Sequence, residues 1–221
     1  MKDFAEKNLL RLNKISQSIL SPTSIYGYYP CNSFGDYLHV YKIRNNEEML
    51  NLYNLETEFK IKLTRQKKIP YQSVADFFRN QKNGISDICA FQLVSLGSEA
   101  VSFANKLQEG GKFQDYFLWN GYCSALTEAY AGFVHSQIRQ DLKIGKSASV
   151  KNTTDSPNNY QGIRYSFGYK CCPNLSIQRQ VLKLLHAEKI NVEMNIANQL
   201  VPEFSTCALI AHHPQARYFD L

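Results

Sequence analysis

The sequence predicts an α+β fold, and three observations carry that prediction. Helical and strand-like segments come in the order helix, strands, helices, helix, strands, with no steady βαβ alternation. Two segments, the first twenty residues and a run of roughly 25 from Asp115 to Arg139, place apolar residues at helical spacing. Short apolar runs closed by turn residues, chiefly Ile88 to Leu96 before Gly97, read instead as buried strands.

Taken in order, Phe4, Leu9, Leu10, Leu12, Ile15 and Ile19 lie among charges and predict an amphipathic helix that ends before Pro22. An extended aromatic run, Ile25 to Pro30, leads into a turn-rich segment, Cys31 to Asp36, and a strand over Tyr37 to Tyr41. Glu47 to Gln66 is mixed, with Phe59, Ile61 and Leu63 alternating, and Pro70 breaks the region. Val74, Ala75, Phe77 and Phe78 suggest a short helix or turn against the core. After the Ile88–Leu96 strand, one helix covers about Ser98 to Glu109 and stops at Gly110-Gly111, since glycine tolerates the backbone a helix end requires. The long helix follows. Lys146 to Tyr160 is polar and reads as an exposed loop. A turn is expected around Gly168-Tyr169, a helix over about Ser176 to Glu188, and strands over Val192 to Met194 and Thr206 to His212.

The 221 residues suffice for one large domain with its own core. Apolar residues at 44% and charged residues at 20% are ordinary globular usage and exclude a disordered chain. The formal charge of +6 is dispersed rather than striped, so nucleic acid is not an expected partner. Six cysteines contain no CxxC pair, which argues against a zinc ribbon or a thioredoxin-like site. The start of the chain lacks the apolar run of a signal peptide, and no window suits a membrane span. A reducing cytoplasm with free, buried thiols is the expectation.

Three places could carry chemistry. On the long helix Glu128, Gly132, His135 and Arg139 fall at offsets of four, three and four, which puts them on one face. That face is either a solvated surface with a charge pair or the wall of a cleft. In Arg164 to Tyr169, an arginine able to hold a carboxylate bidentately precedes Ser166, Gly168 and an aromatic ring. This set suits a zwitterionic amino acid joined to a nucleoside and a sulfonium, or it is a turn with a structural arginine. It lacks the repeated glycines that cradle phosphates, so nucleotide triphosphates and dinucleotides are poorly supported. The third place is the end of the chain, His212 to Leu221. Adjacent histidines on a strand point to opposite faces, so no metal site is expected there.

The run from Tyr160 to Pro173, with Gly162-Ile163-Arg164, Gly168-Tyr169 and Cys172-Pro173, resembles the signature of the activation domain of cobalamin-dependent methionine synthase. Similar segments occur in the same order elsewhere: Gly27 to Asn32, Gly35-Asp36, Arg65-Gln66, Ala75-Asp76-Phe77, Leu126 to Ala131 with His135, Pro202 with Ser205, His213-Pro214 and Tyr218-Phe219. The resemblance spans residues 1–221 as a single activation domain-like unit, a twisted antiparallel sheet with helices packed around it. Residues 1–22 would form an N-terminal helix shorter than the family's opening segment, and an aspartate expected there has no evident counterpart.

What the resemblance implies is S-adenosylmethionine bound in a shallow groove. Glu128, Arg164, Ser166, Gly168, Tyr169 and Tyr218 match the ligand-binding positions, and His135 is expected as a supporting pocket residue. Arg164 would hold the carboxylate, Glu128 the amino group or ribose hydroxyls, and the tyrosines would flank the ligand. No residue is expected to act as a general base, because the sulfonium already activates the methyl group. The implied activity is reductive remethylation of cob(II)alamin on a separate cobalamin-dependent methionine synthase or other corrinoid protein. Flavodoxin or an equivalent reductase would supply the electron. The Asp-x-His-x-x-Gly segment that ligates cobalt in the family is absent, so cobalamin would enter only through the partner. Whether the chain is itself an enzyme stays open, since the catalytic modules of a methionine synthase are absent from this sequence. The alternative is a docking or regulatory module for a corrinoid protein, without methyl-donor activity.

Overall fold

The computed structural model describes residues 2–42, 56–66, 73–144 and 160–218. The mixed segment up to residue 55, Pro70, the polar loop at 146–159 and the last three residues lie outside them. Helix α1 (Lys2–Ile19) opens the chain, followed by strands β1 (Thr23–Phe34), β2 (Tyr37–Tyr41), β3 (Thr57–Lys62) and β4 (Asp87–Ser95). Helices α2 (Ser98–Glu109) and α3 (Phe113–Asp141) come next, then β5 (Ile163–Ser166) and α4 (Gln178–Leu185). The hairpin β6 (Glu193–Met194) and β7 (Leu200–Val201) precedes the last strand, β8 (Ser205–Ala211).

Six strands form one antiparallel sheet in the order β3-β2-β1-β4-β8-β5, and β6-β7 make a separate ribbon. The α+β prediction holds. One segment differs from the sequence reading: Cys31, Asn32 and Ser33 continue β1 instead of turning, and the turn is confined to Gly35-Asp36. Tertiary pairing overrides their turn preference, because each sits opposite a residue of β2 and each is buried. The helix expected over Ser176 to Glu188 is regular only from Gln178 to Leu185, with 3-10 turns on both sides.

Alternation along the strands gives the sheet two apolar faces. Phe91, Leu93, Leu209 and Ala211 join the large core that also takes Val181, Leu182 and Leu185 of α4. Ala90, Val94 and Ile210 point the other way and meet Ala131, Val134 and Ile138 of α3. A third cluster joins α1, α2 and the first half of α3 around Trp119. The indole of Trp119 is fully buried, stands edge-on to Phe103 at 4.7 Å, and donates from Nε1 to the Ala100 carbonyl at 2.9 Å. Among the described residues no helix is long and apolar enough to cross a membrane.

At the rim of the large core, next to Leu63, Ala75 and Phe77, Arg65 ties three separate segments together. Its guanidinium grips Asp76 bidentately at 2.8 and 2.9 Å, pairs with Asp36, and donates to the Gly35 carbonyl at 3.3 Å. Hydrogen bonds to the two carboxylates raise its already high pKa.

Trp119→Ala removes the largest fully buried side chain and the α2–α3 hydrogen bond. A loss of about 3–5 kcal/mol in unfolding free energy is expected, read as a lower urea midpoint at unchanged slope.

Candidate functional site

Among the described residues, strand β5 is an outer strand of the sheet, paired only with β8. Ile163 and Tyr165 point into the large core, followed by Phe167 beyond the strand end, so the intervening Arg164 and Ser166 must face the α3 side. The register, Arg164 opposite Ile210 and Ser166 opposite Ala208, fixes how far along α3 they sit. The result is an ion pair from Arg164 Nη2 to Glu128 Oε2 of α3. The arginine side chain is 14% exposed and the glutamate 56%, so the cation is the fixed partner and the carboxylate the adjustable one. Arg164 Nη1 is buried with no hydrogen-bond partner among the described residues, an orphan donor that normally attracts an acceptor.

After β5 the chain turns tightly. The Gly168 amide donates to the Cys172 carbonyl at 2.9 Å, and the Cys172 amide returns a bond to Tyr169. Gly168 has φ +88°, and a Cβ there would lie 2.7 Å from Leu175 Cδ2, so only glycine fits. The turn leaves Tyr169 exposed beside the groove. From the far end of the chain, the Tyr218 hydroxyl donates to the Arg164 carbonyl at 2.7 Å, and the Tyr165 hydroxyl donates to the Arg217 carbonyl at 2.6 Å. The two rings meet edge to face at 5.7 Å. These paired hydroxyl bonds fasten the chain terminus to β5.

Two adjoining concavities result. The smaller, about 440 Å³, is lined by Glu128, Arg164, Ser166, Tyr169, Lys170 and Tyr218, with Tyr165 and Cys171 behind. The larger, about 740 Å³, shares Glu128, Ser166 and Tyr169 and extends over Ser98 and Ser102 of α2 to the β6–β7 hairpin, where Asn195 and Gln199 face it. Five of the expected residues therefore converge: Glu128, Arg164, Ser166, Tyr169 and Tyr218. Gly168 is not on the wall; it acts one step back, through the turn that presents Tyr169. His135, expected as a supporting pocket residue, lines neither concavity. It lies 2% exposed beneath the site, edge-on to Tyr160 at 5.7 Å. Burial, then the charges of Arg139 and Arg164, push its pKa down to about 3, so the imidazole stays neutral. Sequence reasoning missed Lys170, although it follows Tyr169 directly. It also missed the amides of the hairpin, which carry no local signal because only tertiary packing brings them near.

At the end of the chain the histidines part company. His212 Nε2 donates to Asp87 Oδ1 at 2.9 Å, and the His213 ring packs against Phe77 at 5.7 Å. Burial opposes ionisation of Asp87, but the His212 bond and the Arg79 and Ile88 amides outweigh it and hold the carboxyl below its usual range. All six cysteines are buried and free. Among the described residues no group of three His, Cys, Asp or Glu side chains could hold a metal ion.

Fold and groove together define an α+β domain whose polar groove lies between an edge strand and a long helix. The chain belongs to the family described as the activation domain of vitamin B12 dependent methionine synthase, whose model matches residues 3–221. It is 32% identical over 207 residues to the methionine synthase of Mycobacterium tuberculosis (strain ATCC 25618 / H37Rv), covering 89% of this chain and 17% of that protein. The methionine synthase of Mycobacterium leprae (strain TN) is 30% identical over 209 residues, with the same two shares. The chain thus spans about a sixth of the length of these relatives. Among solved structures, the MetH reactivation domain bound to AdoHcy superposes with a TM-score of 0.78 at 22% identity, covering 97% of this chain and 67% of that one.

A neutral buried His135 has a consequence in acid. Above pH 6.5 the imidazole is neutral folded or unfolded. As the pH falls from there to about 3, the unfolded chain takes up a proton that the folded protein refuses, and stability declines. His135→Gln should flatten this part of the pH–Tm curve relative to wild type. Parallel curves from pH 7 to 4 would contradict a neutral His135.

Proposed function

We propose that this groove binds S-adenosylmethionine and that the protein supports reductive remethylation of cob(II)alamin on a separate cobalamin-dependent methionine synthase. The observation that carries the reading is the Arg164 guanidinium, held rigid by β5, with one buried nitrogen unpartnered and an adjustable carboxylate beside it. A ligand with both a carboxylate and an amino group complements that pair. Its carboxylate would take Arg164 in a charge-assisted, fork-like contact, releasing Glu128 toward the ligand's positive groups. The open rings of Tyr169 and Tyr218 offer π faces to a heterocycle or a sulfonium. The AdoHcy in the related reactivation domain supports a ligand of this class.

S-adenosylmethionine supplies an activated methyl group, and the corrinoid is the nucleophile, held by the partner. The residues of this chain have a positioning task, in which a fixed carboxylate clamp and two aromatic walls set the direction of the methyl group. No proton transfer is asked of them. The match to methionine synthases supports a corrinoid protein as partner; flavodoxin or an equivalent reductase would supply the electron. A cytoplasmic location fits the buried free thiols.

Calorimetry with S-adenosylmethionine tests the assignment. Arg164→Ala should weaken binding by about 1.5–3 kcal/mol, the worth of a charge-assisted hydrogen bond, and Arg164→Lys by less. Equal heats from wild type and Arg164→Ala would overturn it.

A further inference from the structure

The approach to β5 carries an anchor at each of three successive residues. Tyr160 lies against α3, with the Arg139 guanidinium 3.8 Å from the centre of its ring and His135 meeting the ring edge-on at 5.7 Å. Gln161 Nε2 donates to the His212 carbonyl at 2.8 Å. Gly162 has φ +88°, and a Cβ there would stand 3.1 Å from the Ala211 carbonyl oxygen, so the backbone is pressed onto the end of β8. Gln161 and Gly162 fix the segment to β8. Tyr160 is the anchor that fixes it to α3, the helix that bears Glu128.

We propose that Tyr160 is a positioning residue for the ligand site, clamped between Arg139 and His135 so that Arg164 meets Glu128 in register. Arg139, His135 and Glu128 lie on one face of α3, three turns apart from end to end. The ring stacks at the Arg139 end of that face, and Arg164, four residues further along the chain, pairs at the Glu128 end. The clamp therefore sets the direction in which the chain enters β5 relative to α3. The guanidinium over the ring is a cation–π contact in a half-buried setting, where such contacts are stronger than on an exposed surface. His135 completes it without adding charge: the neutral imidazole separates Arg139 from Arg164, and protonation there would place three cations side by side. The proposal goes beyond ligand identity but rests, for its binding readout, on the S-adenosylmethionine reading.

Two measurements keep the two ideas apart. In the ligand-free protein, NMR exchange of the Arg164 guanidinium protons reports how firmly the arginine is held, with no ligand required. Tyr160→Leu and Arg139→Met should speed that exchange roughly tenfold, while Tyr160→Phe, which keeps the ring and loses only the hydroxyl's bond with Arg139, should speed it far less. Trp119→Phe, a core change elsewhere, controls for general loosening. Calorimetry with S-adenosylmethionine on the same proteins should show clearly weaker binding for Tyr160→Leu than for Tyr160→Phe. The clamp is overturned if Tyr160→Leu leaves Arg164 exchange unchanged, if Tyr160→Phe behaves like Tyr160→Leu, or if Trp119→Phe speeds exchange equally. Absent binding by wild type, with Arg164 exchange still dependent on Tyr160, would reject the ligand and keep the clamp.

Discussion

The register of β5 on β8 is the constraint on which the site depends. A strand offers alternate residues to opposite faces, so committing Ile163 and Tyr165 to the large core leaves Arg164 and Ser166 no choice of side. A slip of one residue would bury the guanidinium among Phe91 and Leu209 and turn Ile163 and Tyr165 outward. Such a slip costs far more than any ion pair could return, because an isolated buried charge is among the most unfavourable arrangements a protein can adopt. The hydrophobic core thus specifies the position of the charged site. Glu128 then completes it from α3, whose own position is set by Ala131, Val134 and Ile138 against the opposite sheet face.

Electrostatics around this arrangement follow from the same geometry. Arg139 and Arg164 flank a neutral His135, and each cation has a compensating neighbour: the Tyr160 ring for Arg139 and the Glu128 carboxylate for Arg164. The pairing of a mostly buried arginine with a mostly exposed glutamate leaves the cation fixed and the anion free to turn. An exposed carboxylate gives up its partner at small cost, since water solvates it nearly as well. A carboxylate arriving at Arg164 would therefore compete with a weak contact rather than with a buried bridge.

A second charged cluster, around Arg65, shows how scattered sequence signals can share one cause. Gly35-Asp36, Arg65 and Asp76 were each legible as separate fragments of a family pattern. In the structure they are the donors and acceptors of a single clamp between the β1–β2 turn and the 3-10 turn at Val74–Phe77. Gly35 has φ +57°, which lets the turn expose its carbonyl to the guanidinium. Next to Arg65, the Thr64 amide donates to the Cys171 carbonyl at 3.2 Å, so the clamp adjoins the segment behind the smaller concavity.

By itself the sequence determined the local elements and the chemistry available to them. Periodicity marked α1, α2 and α3, apolar runs marked β4 and β8, and the run from Gly162 to Tyr169 named the residues of the binding edge. Those signals are local: helical spacing, strand alternation and turn residues act over a few positions. Only the tertiary structure decided that Cys31 to Ser33 stay in a strand, since their conformation answers to a partner strand. It likewise placed His135 beneath the site, although the spacing on α3 allowed it to line the cleft, because a helix face acquires a wall only from what packs against it. The Tyr160–Arg139 contact, the return of Tyr218 to Arg164, and the amides of the β6–β7 hairpin at the larger concavity join residues far apart in the chain. Their positions follow from how the layers close on one another, which no short window of sequence contains.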